Sequence, residues 1–209
     1  MNYETRIATV PLILIGMIAD LYFLINGNVV FGSLFNSYLP VLSTYLAMDS
    51  IMLALIGKTP ELNISFIDAL IFFVPAFILT TLLMDTLMHP NGFALGNISF
   101  TYYIMQIFLE IFVIALSEEM MFRGLLQKYF GWFGQGILFG LFHLSAYTQQ
   151  GFGWESILIA MVFGVAMGVV IKIANNKNGQ GPGLAITWGI HAGYNLAIVL
   201  GVFTLGGVI

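Results

Sequence analysis

The run SILIAMVFGVAMGVVIKI occupies residues 156–173, and Lys172 is its single charge. At 1.5 Å of rise per residue, a helix of this length reaches about 27 Å, close to the hydrocarbon thickness of a bilayer. A helix that is apolar on every face belongs in lipid or in the heart of a large core. The rest of the chain chooses between them. Of 209 residues, 59% are hydrophobic and 8% charged, with a mean hydropathy of +0.96. Soluble domains carry roughly 25% charged residues. The fold class that follows is an all-α polytopic membrane helical bundle.

Seven stretches have the required length and composition: Ile7 to Ile25, Val29 to Ile56, Ile64 to Met88, Ile98 to Phe122, Trp132 to Tyr147, Ser156 to Ile173 and Leu184 to Phe203. Turn formers separate them at Asn26-Gly27-Asn28, Lys58-Thr59-Pro60, His89 to Gly92, Gly131, Gln149 to Gly153 and Asn175 to Gly183. Pro40 and Pro75 fall inside the second and third stretches, where kinks are expected. With seven spans, Arg6, Lys58, Arg123, Lys128, Lys172 and Lys177 all lie on one side. By the positive-inside rule this predicts a cytoplasmic N-terminus and an extracytoplasmic C-terminus. The first stretch is too long for a signal peptide and contains Asp20, so it reads as an uncleaved helix. A single domain, 1-209, is expected.

Zero cysteines exclude a disulfide framework, an iron–sulfur cluster and a cysteine nucleophile. A net charge of -4 without a basic run leaves no footprint for nucleic acid. The partner implied throughout is the lipid bilayer.

Ionisable groups inside spans are costly and usually functional. Asp20, Asp49, Asp68 and Asp85 each stand alone and read as packing or interfacial residues, His89 as solvated, and Glu155 beside Trp154 as an interfacial anchor. Glu110 is ambiguous, lying eight residues before Glu118 on about the same helix face. The stretch Ser117-Glu118-Glu119-Met120-Met121-Phe122-Arg123 reads differently. Adjacent α-helical residues diverge by about 100°, so Glu118 and Glu119 are expected to have different tasks. Glu119 and Arg123, at i and i+4, are assigned a helix-surface ion pair.

Phe139 to His143 sets an imidazole in the fifth span, and His191 with Asn195 sets an imidazole and an amide on one face of the seventh. Measured from cytoplasmic helix ends, Glu118, His143 and His191 lie roughly 15, 17 and 12 Å deep, so they and Asn195 are expected to share one cavity. The glycine pairs Gly136/Gly140, Gly164/Gly168 and Gly189/Gly193 let backbones approach closely enough for that. A carboxylate facing an imidazole can hold and deprotonate water, unaided or through a divalent metal. A second His and an Asn offer donors to an oxyanion. Glu118, His143 and His191 also have the donor types for a zinc site. There is no Gly-x-Ser-x-Gly elbow and no His-Glu-x-x-His. Two other readings stay open: a catalytically silent interaction protein, and a proton or ion pathway through Glu110, Glu118 and His143.

Taken together, Glu118-Glu119-x-x-x-Arg123, Phe139-x-x-x-His143 and His191-x-x-x-Asn195, in this order on successive helices, resemble the CAAX-processing and bacteriocin-processing (CPBP, or ABI) intramembrane protease family. The resemblance covers 98-203 as a catalytic core in the last four spans and leaves 1-97 as accessory helices. It implies an endopeptidase within the membrane, acting on a peptide or lipidated-protein substrate of the prenylated CAAX or bacteriocin type. Glu118 and His143 would activate water, His191 and Asn195 would form the oxyanion site, and Glu119 and Arg123 would support them. Prokaryotic relatives associated with bacteriocin self-immunity keep a silent immunity role open and point to a prokaryotic cell membrane.

Overall fold

The computed structural model describes residues 3–30, 35–55, 64–87, 100–149, 153–175 and 181–205. Among these every regular element is helical: α1 (Tyr3–Val30), α2 (Phe35–Leu55), α3 (Phe66–Leu87), α4 (Phe100–Phe108), α5 (Leu116–Glu118), α6 (Gln127–Phe142), α7 (Leu144–Gln149), α8 (Trp154–Ala174) and α9 (Gly183–Leu205). Two π-helical segments, π1 (Leu109–Ala115) and π2 (Glu119–Leu126), flank α5, so residues 100–142 run through α4, π1, α5, π2 and α6. The rod turns sharply at Gly131, whose φ of 67° is the left-handed backbone that glycine adopts freely.

Segments Phe66–Leu83, Trp154–Ala174 and Gly183–Leu200 are long and apolar enough to cross a membrane; Val10–Asn26 and Leu39–Leu55 are shorter apolar stretches. The seven expected stretches are therefore not equivalent. Ile98 to Phe122 carries Glu110, Glu118 and Glu119, and Trp132 to Tyr147 is interrupted at His143. The expected turn at Asn26-Gly27-Asn28 lies inside α1, where the Asn26 amide donates to the Tyr22 carbonyl at 3.1 Å. Helices α2 and α3 continue through Pro40 and Pro75. The stretches 58–60 and 89–92 fall outside the described residues.

One face of α3 exposes Ile67, Leu70, Ile71, Leu79 and Leu82. A contiguous apolar face of this kind is stable only against lipid or a partner. With three spanning-length apolar helices, the chain is an integral membrane protein. Inside the bundle, α8 crosses α6 where Gly164 meets Gly136: a Cβ on Gly164 would lie 2.9 Å from the Gly136 Cα. Gln135, buried at the same crossing, donates to the Gly164 carbonyl at 2.7 Å. Helix α9 meets α3 in the same way, since a Cβ on Gly193 would sit 2.5 Å from the Phe73 carbonyl oxygen. Lipid tails are as apolar as leucine, so such small-residue contacts let helices gain dispersion energy that burial alone does not provide. Beside these crossings, α6, which leads into His143, packs against π2, and α9, which carries His191, packs against both π1 and π2.

Candidate active site

Glu118 is buried on the three-residue α5 between two π segments. Its Oε1 lies 3.7 Å from His143 Nε2 and its Oε2 lies 3.8 Å from His191 Nε2. Both gaps exceed a direct hydrogen bond. The other nitrogen of each ring is committed. His191 Nδ1 is 2.8 Å from Glu119 Oε1, and His143 Nδ1 is 2.8 Å from the Phe139 carbonyl. Since both partners of Nδ1 are acceptors, both rings donate from Nδ1 and turn Nε2 toward Glu118.

A break in the chain explains the His143 geometry. The α6 helix ends at Phe142, and the His143 backbone N–H donates to Gly140 rather than to Phe139. That leaves the Phe139 carbonyl without its usual helical donor, and the imidazole of His143 takes the place. A break at this depth is compatible with a membrane only where protein covers it. Here Phe142 and Tyr147 pack their rings beside His143.

Glu119 and Arg123 pair as their spacing predicts, with Nη1 3.2 Å from Oε1, but both are buried; the pair is not on the helix surface. Its environment compensates the guanidinium in a second way, because the Arg123 Cζ lies 4.1 Å above the Phe139 ring. Phe139 thus touches Arg123 on one side and the rings of His143 and His191 at 4.6 and 5.8 Å. Glu118 and Glu119, expected to have different tasks, both meet His191, Glu118 at Nε2 and Glu119 at Nδ1.

Asn195 follows His191 by one turn of α9, yet its amide is engaged elsewhere: Nδ2 donates to Glu110 Oε2 at 3.1 Å. Gln106 Nε2 donates to Glu110 Oε1 at 2.9 Å. Glu110, ambiguous in the sequence, is therefore the group that fixes the Asn195 amide. Tyr45 on α2 carries only a faint sequence signal. It is buried, and its hydroxyl donates to Glu118 Oε1. One turn further, Asp49 accepts a bond from the hydroxyl of Ser117. The pairing of Tyr45 and Asp49 at i and i+4, on the face of one apolar helix, was the clue available. Trp188 adds a bond from Nε1 to the Ile111 carbonyl at 3.0 Å, satisfying backbone loosened by π1.

Among the described residues no group of three or more His, Cys, Asp or Glu side chains is arranged to hold a metal ion. The zinc set of Glu118, His143 and His191 kept open by residue type is thus unsupported, because each imidazole addresses a different oxygen of Glu118 and Oε1 already accepts from Tyr45.

Comparison with known families matches residues 99–197 to the Rce1-like family, described as type II CAAX prenyl endopeptidase Rce1-like. No curated protein and no solved structure matches the chain. Through this segment, just under half of the chain, the protein is similar to that family.

Proposed function

From a chain whose residues 99–197 form an Rce1-like domain, we propose an intramembrane endopeptidase that hydrolyses a peptide bond near the end of a membrane-bound substrate, of the prenylated CAAX or bacteriocin type. One observation carries the reading: both Nε2 atoms of two imidazoles face the two oxygens of one buried carboxylate, at 3.7 and 3.8 Å. Gaps of that size admit the atoms of a reacting water better than a direct bond.

In this reading Glu118 is the general base and His143 orients the water through Nε2. The water oxygen attacks the scissile carbonyl carbon while its proton passes to Glu118. The carbonyl π pair becomes an oxyanion, which accepts bonds from the second Nδ2 hydrogen of Asn195 and from His191. When the intermediate collapses, the C–N bond breaks and Glu118 returns its proton to the leaving nitrogen. Glu119 and Arg123 hold the His191 side of the site. The one-sided Lys and Arg pattern supports a cytoplasmic N-terminus.

The test is cleavage of a defined library of lipidated and unlipidated membrane peptides by purified protein, with and without a chelator. Cleavage by the parent that is lost in Glu118→Gln supports the reading. A folded parent that cleaves none of the library, or a Glu118→Gln variant that still cleaves, refutes it. Loss of cleavage on chelation reinstates a metal.

A further inference from the structure

Residues 99–197 carry the matched domain, but one side-chain hydrogen bond to its central carboxylate, and another to the residue just before it, come from outside that segment. On α2, Tyr45 donates to Glu118 Oε1, and Asp49, one turn on, accepts from Ser117, the residue immediately before Glu118. Both are buried. Asp49 is also backed by α1: a Cβ at Gly16 would lie 2.9 Å from Asp49 Oδ2, so a larger residue there would displace the carboxylate. Tyr45 is steadied by the edge of its ring against Phe142, with centroids 6.4 Å apart.

The need for such links lies in the helix that bears Glu118. Three α-helical residues sit between two π segments, so the turn carrying the carboxylate is flanked by wide, weakly registered backbone. Its rotational setting is poorly fixed by its own hydrogen bonds, and side chains from a neighbouring helix can fix it. The two links also differentiate the oxygens of Glu118. Oε1 is taken by Tyr45, whereas Oε2 has no hydrogen-bond partner and is the oxygen that faces His191.

We propose that α2 is a positioning element of the site: Tyr45 holds Glu118 Oε1 and Asp49 anchors Ser117, so that the carboxylate is kept between Nε2 of His143 and Nε2 of His191. This rests on the reading of Glu118 as the general base. Tyr45 acts through Glu118 and is a positioning residue, not a catalytic one.

The test uses full-length protein in lipid nanodiscs. With a cleaving parent, Tyr45→Phe keeps the ring and removes only the hydroxyl. It should lower kcat about 10- to 100-fold, the reach of one hydrogen bond to a charged group, with KM within twofold and an unchanged thermal midpoint. In a Glu118→Gln background the same substitution should cost nothing further. Asp49→Asn, which keeps an acceptor for Ser117, should retain more activity than Asp49→Leu. Unchanged kcat in Tyr45→Phe, or an equal loss in the Glu118→Gln background, overturns the proposal.

A second readout needs no turnover. Dicyclohexylcarbodiimide labelling, mapped by mass spectrometry, should increase severalfold at Glu118 in Tyr45→Phe, because the hydroxyl that covers Oε1 is gone. If the parent cleaves nothing, the endopeptidase reading falls and labelling alone decides the link. Unchanged labelling of Glu118 then overturns it.

Discussion

Replacing Arg123 with methionine removes a buried cation and leaves Glu119 buried without its partner. The guanidinium lies 3.2 Å from Glu119 Oε1 and over the Phe139 ring, and neither charged side chain is exposed. Breaking such a pair from one side costs about 3 to 5 kcal/mol, most of it the stranded charge. At about 2 to 4 °C per kcal/mol for a chain of this size, the thermal midpoint should fall by roughly 6 to 20 °C. The double variant Glu119→Gln/Arg123→Met removes both charges and should recover most of that loss. It should not recover turnover, because His191 Nδ1 loses the carboxylate oxygen 2.8 Å away. The assay is thermal unfolding of parent, single and double variants in one detergent, run beside peptide cleavage. Were Arg123→Met to melt within about 2 °C of the parent, the buried-pair argument and its magnitude would both be wrong.

Glu118→Gln and His143→Ala should each cut turnover by about 10²- to 10⁴-fold, and their double variant should be scarcely slower than either, measured as kcat on a single peptide. Glu110→Leu should reproduce much of the loss seen in Asn195→Ala, bounded by the roughly 10²- to 10³-fold worth of an oxyanion donor; parent-like kcat would remove Glu110 from the site. Gly164→Val should destabilise by about 1 to 3 kcal/mol through the crossing with Gly136, read as a lower thermal midpoint. A reporter fused after Phe203 should be extracytoplasmic and one near Lys58 or Lys177 cytoplasmic; a cytoplasmic C-terminus would contradict the one-sided charge argument.

The helical membrane class is readable from residues 156–173 together with the chain's low charge, since the stretch excludes a water-facing helix and the composition excludes a large soluble core. The meeting of Glu118, His143 and His191 follows from counting rises along three helices, because depth is set by chain length and needs no tertiary information. What depth counting cannot supply is azimuth. Glu118 and Glu119 both reach His191 because the ring turns a different nitrogen to each, and nothing in the sequence gives the ring's orientation. Asn195 shares a face with His191, yet whether its amide is held depends on Glu110 from a different helix. Tyr45 was easily overlooked because nothing in α2 distinguishes it from Tyr38, seven positions earlier, as the hydroxyl that meets a distant carboxylate. The burial of Arg123 was equally hidden, as the ring that covers it lies sixteen positions further along the chain.

The π segments on either side of Glu118 also make the chain sensitive to length in an unusual way. A wide turn accommodates an extra residue without ending the helix, so π1 works as a rotational spacer between Glu110 and Glu118. Deleting one residue within Leu109–Ala115 would let that turn relax to α winding, and since fewer α residues sweep the same arc as the wide turn, Glu110 and Glu118 would keep their faces. A second deletion, with no wide turn left to absorb it, would rotate α4 relative to α5 by about 100° and take Glu110 away from Asn195 while Glu118 stayed with its histidines. The stretch therefore tolerates one lost residue and not two, a kind of slack that substitutions alone would never expose.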